Sequence, residues 1–75
     1  MSAFQDLIDA RGLSCPQPVL LTMEKLRSLH QGELVVLVDT DISRENVLRA
    51  AASLGWQARE VKTEGSEFRL TLEKG

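Results

Sequence analysis

Glu33-Leu34-Val35-Val36-Leu37-Val38-Asp39 holds the longest apolar run in the chain. Apolar residues run without a break between two carboxylates. Alternation would predict a strand with one wet face. A continuous run predicts a strand at least partly buried on both faces. Upstream of it, Gln31-Gly32 stops a helical pattern, with Gly32 as a left-handed residue after the helix end. That first helix is predicted from about Pro16 to Leu29. Val19, Met23, Leu26 and His30 fall at i, i+4, i+7 and i+11 and make one stripe. Leu20 and Leu29 widen the stripe, while Glu24, Lys25 and Ser28 face away. Further upstream, Leu7-Ile8-Asp9 forms a short first strand, broken by Gly12.

Downstream, Ile42-Ser43-Arg44-Glu45-Asn46-Val47 starts a second helix. Ser43 reads as its N-cap, and Ile42 as a hydrophobic staple on Val47. Val47, Ala50, Ala51 and Leu54 form its buried stripe, and Gly55 ends it. Trp56 to Lys62 is a third strand, with Trp56 read as a core residue. Phe68, Leu70 and Leu72 alternate with Arg69, Thr71 and Glu73, which predicts a fourth strand with one wet face. Glu64-Gly65-Ser66 is the hairpin turn between the last two strands.

The order is therefore β-α-β-α-β-β, an α/β (α+β) chain with a four-stranded mixed sheet. Right-handed crossovers put both helices on one face and make the first three strands parallel; the hairpin makes the fourth antiparallel. One consequence concerns the other face. Either Leu34, Val36 and Val38 or Val35 and Leu37 must point away from the helices. If that face is open, it is an expected apolar patch suited to partner docking or weak dimerisation, so the chain is expected to be a monomer or a weak dimer.

Seventy-five residues make one domain over residues 1–75, near the lower end of what folds without staples. A single cysteine cannot form an internal disulfide, which fits a reducing, cytoplasmic setting. Met1-Ser2-Ala3-Phe4-Gln5-Asp6 has neither the basic region nor the apolar core of a signal peptide. No apolar run is long enough for a bilayer, so no membrane role is expected. Net charge is −2 with no basic cluster, which gives direct nucleic-acid binding little electrostatic support. A chain this small is expected to work at its surface, on or with a partner.

The chemistry concentrates in Asp9-Ala10-Arg11-Gly12-Leu13-Ser14-Cys15-Pro16-Gln17-Pro18. Proline is tolerated in the first turn of a helix, where the N–H groups lack intrahelical partners anyway. Pro16 thus reads as the first helical residue and Cys15 as the N-cap. There the helix dipole favours negative charge, so the thiol is expected to ionise more readily, and the thiolate is the nucleophile. A lone cysteine is more often a small buried hydrophobe; the position and the flanking prolines tip the reading toward a reactive group.

His30 lies fifteen residues along the same helix, about 22 Å away at 1.5 Å per residue, so a Cys–His pair is excluded within a monomer. It reads instead as a cation near the last carbonyls of the helix. There is no second cysteine to resolve a disulfide and no ligand set for a metal. Arg11 is a candidate to hold a thiolate or, equally, a solvated loop charge. Lys25, about 15 Å along the helix, reads as a partner contact. Gly12 serves a backbone conformation closed to other residues, and Asp9 is a candidate to hydrogen-bond the loop that carries Cys15. In such sheets chemistry gathers at the carboxyl ends of the parallel strands. Cys15, the segment Asp39 to Arg44 and the turn near Gly65 share that edge, a candidate docking rim.

Asp9-x-x-Gly12-Leu13-x-Cys15-Pro16-x-Pro18 resembles the motif of the TusA/SirA/YedF family of small sulfur-carrier proteins. The resemblance covers nearly the whole chain. Ser43-Arg44-Glu45-Asn46-Val47 and the stretch Gly65 to Leu72 look closer to the YedF-like branch. The resemblance implies a two-layer sandwich with strand order 1-2-4-3. It implies that Cys15 accepts sulfane sulfur as a persulfide from a cysteine desulfurase or rhodanese-like donor. The sulfur would then pass to an acceptor protein in tRNA thiolation, molybdenum cofactor synthesis or related trafficking. Pro16 and Pro18 would shape the helix start, and Asp9, Gly12 and Leu13 would support the loop. Arg11, Lys25 and Arg44 stay candidates for thiolate or partner contacts. No cofactor is expected beyond the transient persulfide, and turnover would need the partner enzymes, which leaves open whether the chain is an enzyme in its own right. Two rivals stand beside this reading: a regulatory or interaction module with a structural Cys15, and a selenium carrier using the same residue.

Overall fold

The computed structural model describes residues 6–13, 17–29 and 31–74. The elements follow the order β1 (Asp6–Asp9), α1 (Gln17–Ser28), β2 (Gly32–Val38), α2 (Asp41–Ser53), β3 (Gln57–Glu64) and β4 (Glu67–Lys74). The sheet runs β1-β2-β4-β3. β1 pairs with β2 in parallel, and β4 is antiparallel to both β2 and β3. The expected β-α-β-α-β-β mixed sheet is thus observed, and so is the strand order that the family resemblance implied.

The unbroken apolar run of β2 is central and divides its side chains by register. Leu34 lies opposite Leu72 and Val36 opposite Leu70, so these four point to one face. With Val38 they are fully buried, and Leu26 of α1 and Val47 and Ala51 of α2 join the same cluster. Both helices therefore cover that face. Val35 and Leu37 point to the other.

α1 buries Pro18, Thr22 and Leu26. The stripe is turned from the one expected. Val19 and Met23 are half-buried at its flank, and Leu20, expected to widen it, is 58% exposed. A threonine holds the central position because its hydroxyl is satisfied locally, donating to the Pro18 carbonyl at 2.8 Å. The expected start at Pro16 and the stripe member His30 lie outside the described residues.

α2 corrects the expected cap. The N-cap is Thr40, not Ser43: Thr40 has extended φ/ψ, and its hydroxyl accepts the Ser43 N–H at 3.0 Å. The Thr40 carbonyl accepts the first intrahelical bond from Arg44. The helix thus starts before Ile42, which stands 67% exposed rather than stapled on Val47. Its other end matches expectation. Trp56 N–H donates to the Ala51 carbonyl and Gly55 N–H to Ala52, the paired bonds of a Schellman ending. That ending needs a left-handed residue, and Gly55 supplies φ +86. It delivers Trp56 into the core just before β3, which begins one residue later than expected.

Candidate functional site

The carboxyl ends of β1 and β2 and the amino end of β4 meet at one rim, as right-handed crossovers require. β1 leaves the sheet through Ala10, whose N–H donates to the Leu37 carbonyl at 2.9 Å while its side chain enters the core. The chain then turns at Gly12, where φ is +78. A side chain there would meet no neighbouring atom, so glycine is required by the backbone alone. The Gly12 N–H donates to Asp39 Oδ2 at 2.8 Å. A carboxylate just past β2 thereby holds the loop that follows β1.

Asp9 and Arg11 brace the same turn. Asp9 Oδ1 accepts the Arg11 N–H at 3.2 Å and its Nε at 2.8 Å, and Oδ2 accepts Nη2 at 2.8 Å. The two side chains form a bidentate pair. Nη1 of Arg11 reaches Glu67 Oε1 at 3.1 Å, which ties the loop to β4. The side-chain hydrogen bonds from Arg11 draw the Asp9 carboxyl down to about 2, and those from Asp9 and then Glu67 push the guanidinium above its ordinary value. Asp9 thus hydrogen-bonds the backbone and side chain of the turn that follows β1. Arg11, weighed as a thiolate contact, is engaged by two carboxylates.

Beyond the turn, Leu13 packs against the core from a half-buried position. After residues 14–16, Pro18 is buried in the first turn of α1. The segment Ser14-Cys15-Pro16 thus lies in sequence between two anchored points, and Cys15, expected to be reactive, and the first motif proline lie outside the described residues. The first turn of α1 carries no acidic residue.

The remaining candidates separate. Arg44 belongs to the rim: its guanidinium carbon sits 5.0 Å from the centre of the Phe68 ring, with Asp41 at 3.9 Å and Glu45 at 3.8 Å. Its Nε is buried and carries no hydrogen bond among the described residues. Lys25 lies farther along α1, half-buried, beside a depression of about 300 Å³ lined by Ile8, Leu21, Glu24 and Ser28. A second depression of about 370 Å³ lies between Leu13, Gln17, Leu20 and Leu21. Among the described residues, no group of histidines, cysteines or carboxylates is arranged to hold a metal ion.

Sequence reading missed Glu67 and undervalued Asp39. Glu67 shares the period-two face of Arg69 and Thr71 and stands at the start of its strand, but no local pattern names Arg11 as its partner. For Asp39, only the fold shows that its carboxylate faces Gly12.

Comparison with known proteins agrees with this arrangement. A family profile described as sulfurtransferase TusA matches residues 7–74. The sulfur carrier protein TusA of Allochromatium vinosum is 31% identical, with 99% of each chain covered. A putative sulfur carrier protein of Bacillus subtilis, YrkF, is 34% identical over 92% of this chain, which spans only 38% of that protein's length. The crystal structure of a SirA-like protein from Desulfitobacterium hafniense superposes with a TM-score of 0.86 at 35% identity, covering 95% of this chain and 99% of that one. The chain belongs to the TusA family.

Proposed function

We propose that the chain is a sulfur carrier that holds sulfane sulfur as a persulfide on Cys15. The observation that supports this most is the brace on the loop leading to Cys15. Asp39 accepts the Gly12 N–H, and Arg11 bridges Asp9 and Glu67. A carrier needs its thiol on a short segment presented reproducibly to different enzymes, and it needs no base or metal of its own. The names of its relatives, sulfur carrier proteins, support the same role.

In the proposed step the Cys15 thiolate attacks the outer sulfur of a persulfide on the donor, a cysteine desulfurase or rhodanese-like protein. The new S–S bond forms on Cys15, the donor's S–S bond breaks, and the donor cysteine leaves as a thiolate. The outer sulfur keeps its proton or releases it to solvent. One disulfide-like bond replaces another, so no external oxidant or reductant is needed. Delivery to an acceptor protein repeats the exchange in the opposite sense.

Incubation with a cysteine desulfurase and free cysteine is expected to add one sulfur atom to the intact protein, removable by dithiothreitol and absent in Cys15→Ser. No mass gain from either class of donor would overturn the reading in favour of an interaction module. Transfer of selenium from a desulfurase supplied with free selenocysteine, in preference to sulfur from cysteine, would favour the selenium carrier.

A further inference from the structure

The face of the sheet away from the helices differs from the expected apolar patch. Val35 points to it, yet is only 2% exposed, and Thr71, expected on a wet face, is also buried. Charged side chains roof them. A trough of about 530 Å³ has Val35 and Thr71 as its floor and Arg59, Glu60, Lys62 and Arg69 around it. Three cations thus stand against one carboxylate, in a chain whose net charge is −2.

Two features of this patch run against what folding alone favours. Lys62 lies directly opposite Arg69 across β3 and β4, and like charges in that register destabilise a sheet. In addition, β3 slips register between Ala58 and Glu60. Such a bulge re-aims side chains, and here Arg59 and the adjacent Glu60 both line the trough. The cations are also unequally committed. Arg59 is paired with Glu33, and Lys62 lies 3.9 Å from Glu64. Arg69 makes no ion pair or side-chain hydrogen bond among the described residues. Its planar fork is free to take a carboxylate bidentately.

We propose that this open face binds an acidic segment of a partner protein, with successive carboxylates on Arg69, Lys62 and Arg59. Lys62 faces Arg69 across β3 and β4, and Arg59 lies three residues along β3, about 10 Å away at the ordinary strand rise, so a chain of carboxylates meets all three cations where a small free anion reaches only the Lys62–Arg69 pair. Nucleic acid fits less well. No aromatic residue lines the trough for base stacking, and Glu60 stands among the cations. The proposal is independent of the persulfide reading, because it concerns the face opposite the helices and is read out by binding alone.

The test is a titration of the whole chain, followed by backbone amide NMR shifts, with N-acetylated hexaglutamate peptide. Shifts are expected at Val35, Lys62, Arg69 and Thr71, weakening as salt is raised. Arg69→Gln is expected to weaken binding about fivefold, the upper range for an exposed charge pair. Arg69→Gln with Lys62→Gln is expected to abolish it, the rest of the spectrum reporting that the fold is intact. Absence of shifts on this face at millimolar peptide would overturn the proposal. So would tighter binding of a hexauridylate there, or concentration-dependent shifts of the same residues without peptide, which would assign the face to a second copy.

Discussion

The two β-to-α connections at the rim solve the same problem differently. Between β2 and α2 stand only residues 39 and 40. Thr40 caps the helix from within, and Asp41 places a carboxylate in its first turn. That helix start is satisfied by its own neighbours in sequence. Between β1 and α1 stand residues 10–16, a longer connection held from outside by Asp39 and Glu67. The first turn of α1 carries no acid. No side-chain carboxylate within that turn offsets its dipole. The shorter connection is satisfied by its own residues, and the described part of the longer one, residues 10–13, is held by partners from elsewhere in the chain.

The largest expected effect comes from the turn that makes the long connection possible. Gly12→Ala introduces no clash, so its cost is conformational, about 1–2 kcal/mol for an L-residue at positive φ. A domain of this size then loses roughly 4–8 °C in Tm per kcal/mol. Thermal unfolding measures it, and persulfide loading is expected to slow in the same variant. An unchanged Tm would mean that the loop tolerates another backbone path and that the brace is dispensable.

Thr40→Ala is the counterpart in the short connection. Losing the hydroxyl that accepts the Ser43 N–H is expected to cost about 1 kcal/mol, with Thr40→Ser retaining most of it. Denaturant unfolding checks this. The pH profile of Cys15 alkylation is expected to stay where it is, because the cap belongs to the other helix. A shift in that profile would show that the two connections are coupled.

Acid titration probes the brace without changing the backbone. The Asp9 carboxyl is held down at about 2 from the ordinary 3.8, chiefly by the Arg11 side chain. A depressed carboxyl contributes stability that is fully present above its unfolded value and is lost as pH falls through the folded one. The loss therefore falls between about pH 4 and pH 2. Carboxyl NMR is expected to show Asp9 titrating near 2, and Arg11→Gln to bring it back toward 3.8. An Asp9 that titrates near 4 in the unaltered chain would remove the ion pair from the account.

Much of this contrast was legible in the chain, and the misreadings have physical causes. Gly12, Asp9 and the rim at the strand ends follow from backbone rules and crossover handedness. The cap of α2 was misread because two hydroxyls, Thr40 and Ser43, stand three residues apart, and only the end of β2 decides between them. Leu20 was misplaced because apolar character outweighed phase, while Thr22 could enter the core by bonding its own turn. Position between β2 and β3 for β4 follows from pairing across the sheet, which no local pattern encodes; the family resemblance supplied it. Long-range partners such as Glu67 are the hardest to read, since their meaning depends on which strands become neighbours.

The smallest expected effect tests the missing first-turn carboxylate itself. Gln17 is exposed in the first turn of α1. Gln17→Glu places there the carboxylate that α2 already carries in Asp41. It offsets the positive end of the helix, an effect of about 0.3–1 kcal/mol. At 1.36 kcal/mol per unit this is a rise of roughly 0.2–0.7 in the Cys15 thiol pKa. Iodoacetamide alkylation below that pKa is expected to slow by about the same energy, roughly twofold to fivefold, with overall stability held or slightly raised. Asp41→Asn is the mirror experiment. It should destabilise α2 by a few tenths of a kcal/mol and leave the alkylation profile alone. If Gln17→Glu leaves the thiol pKa unmoved, the start of α1 does not act on Cys15. The two connections would then differ in length and bracing but not in electrostatic purpose.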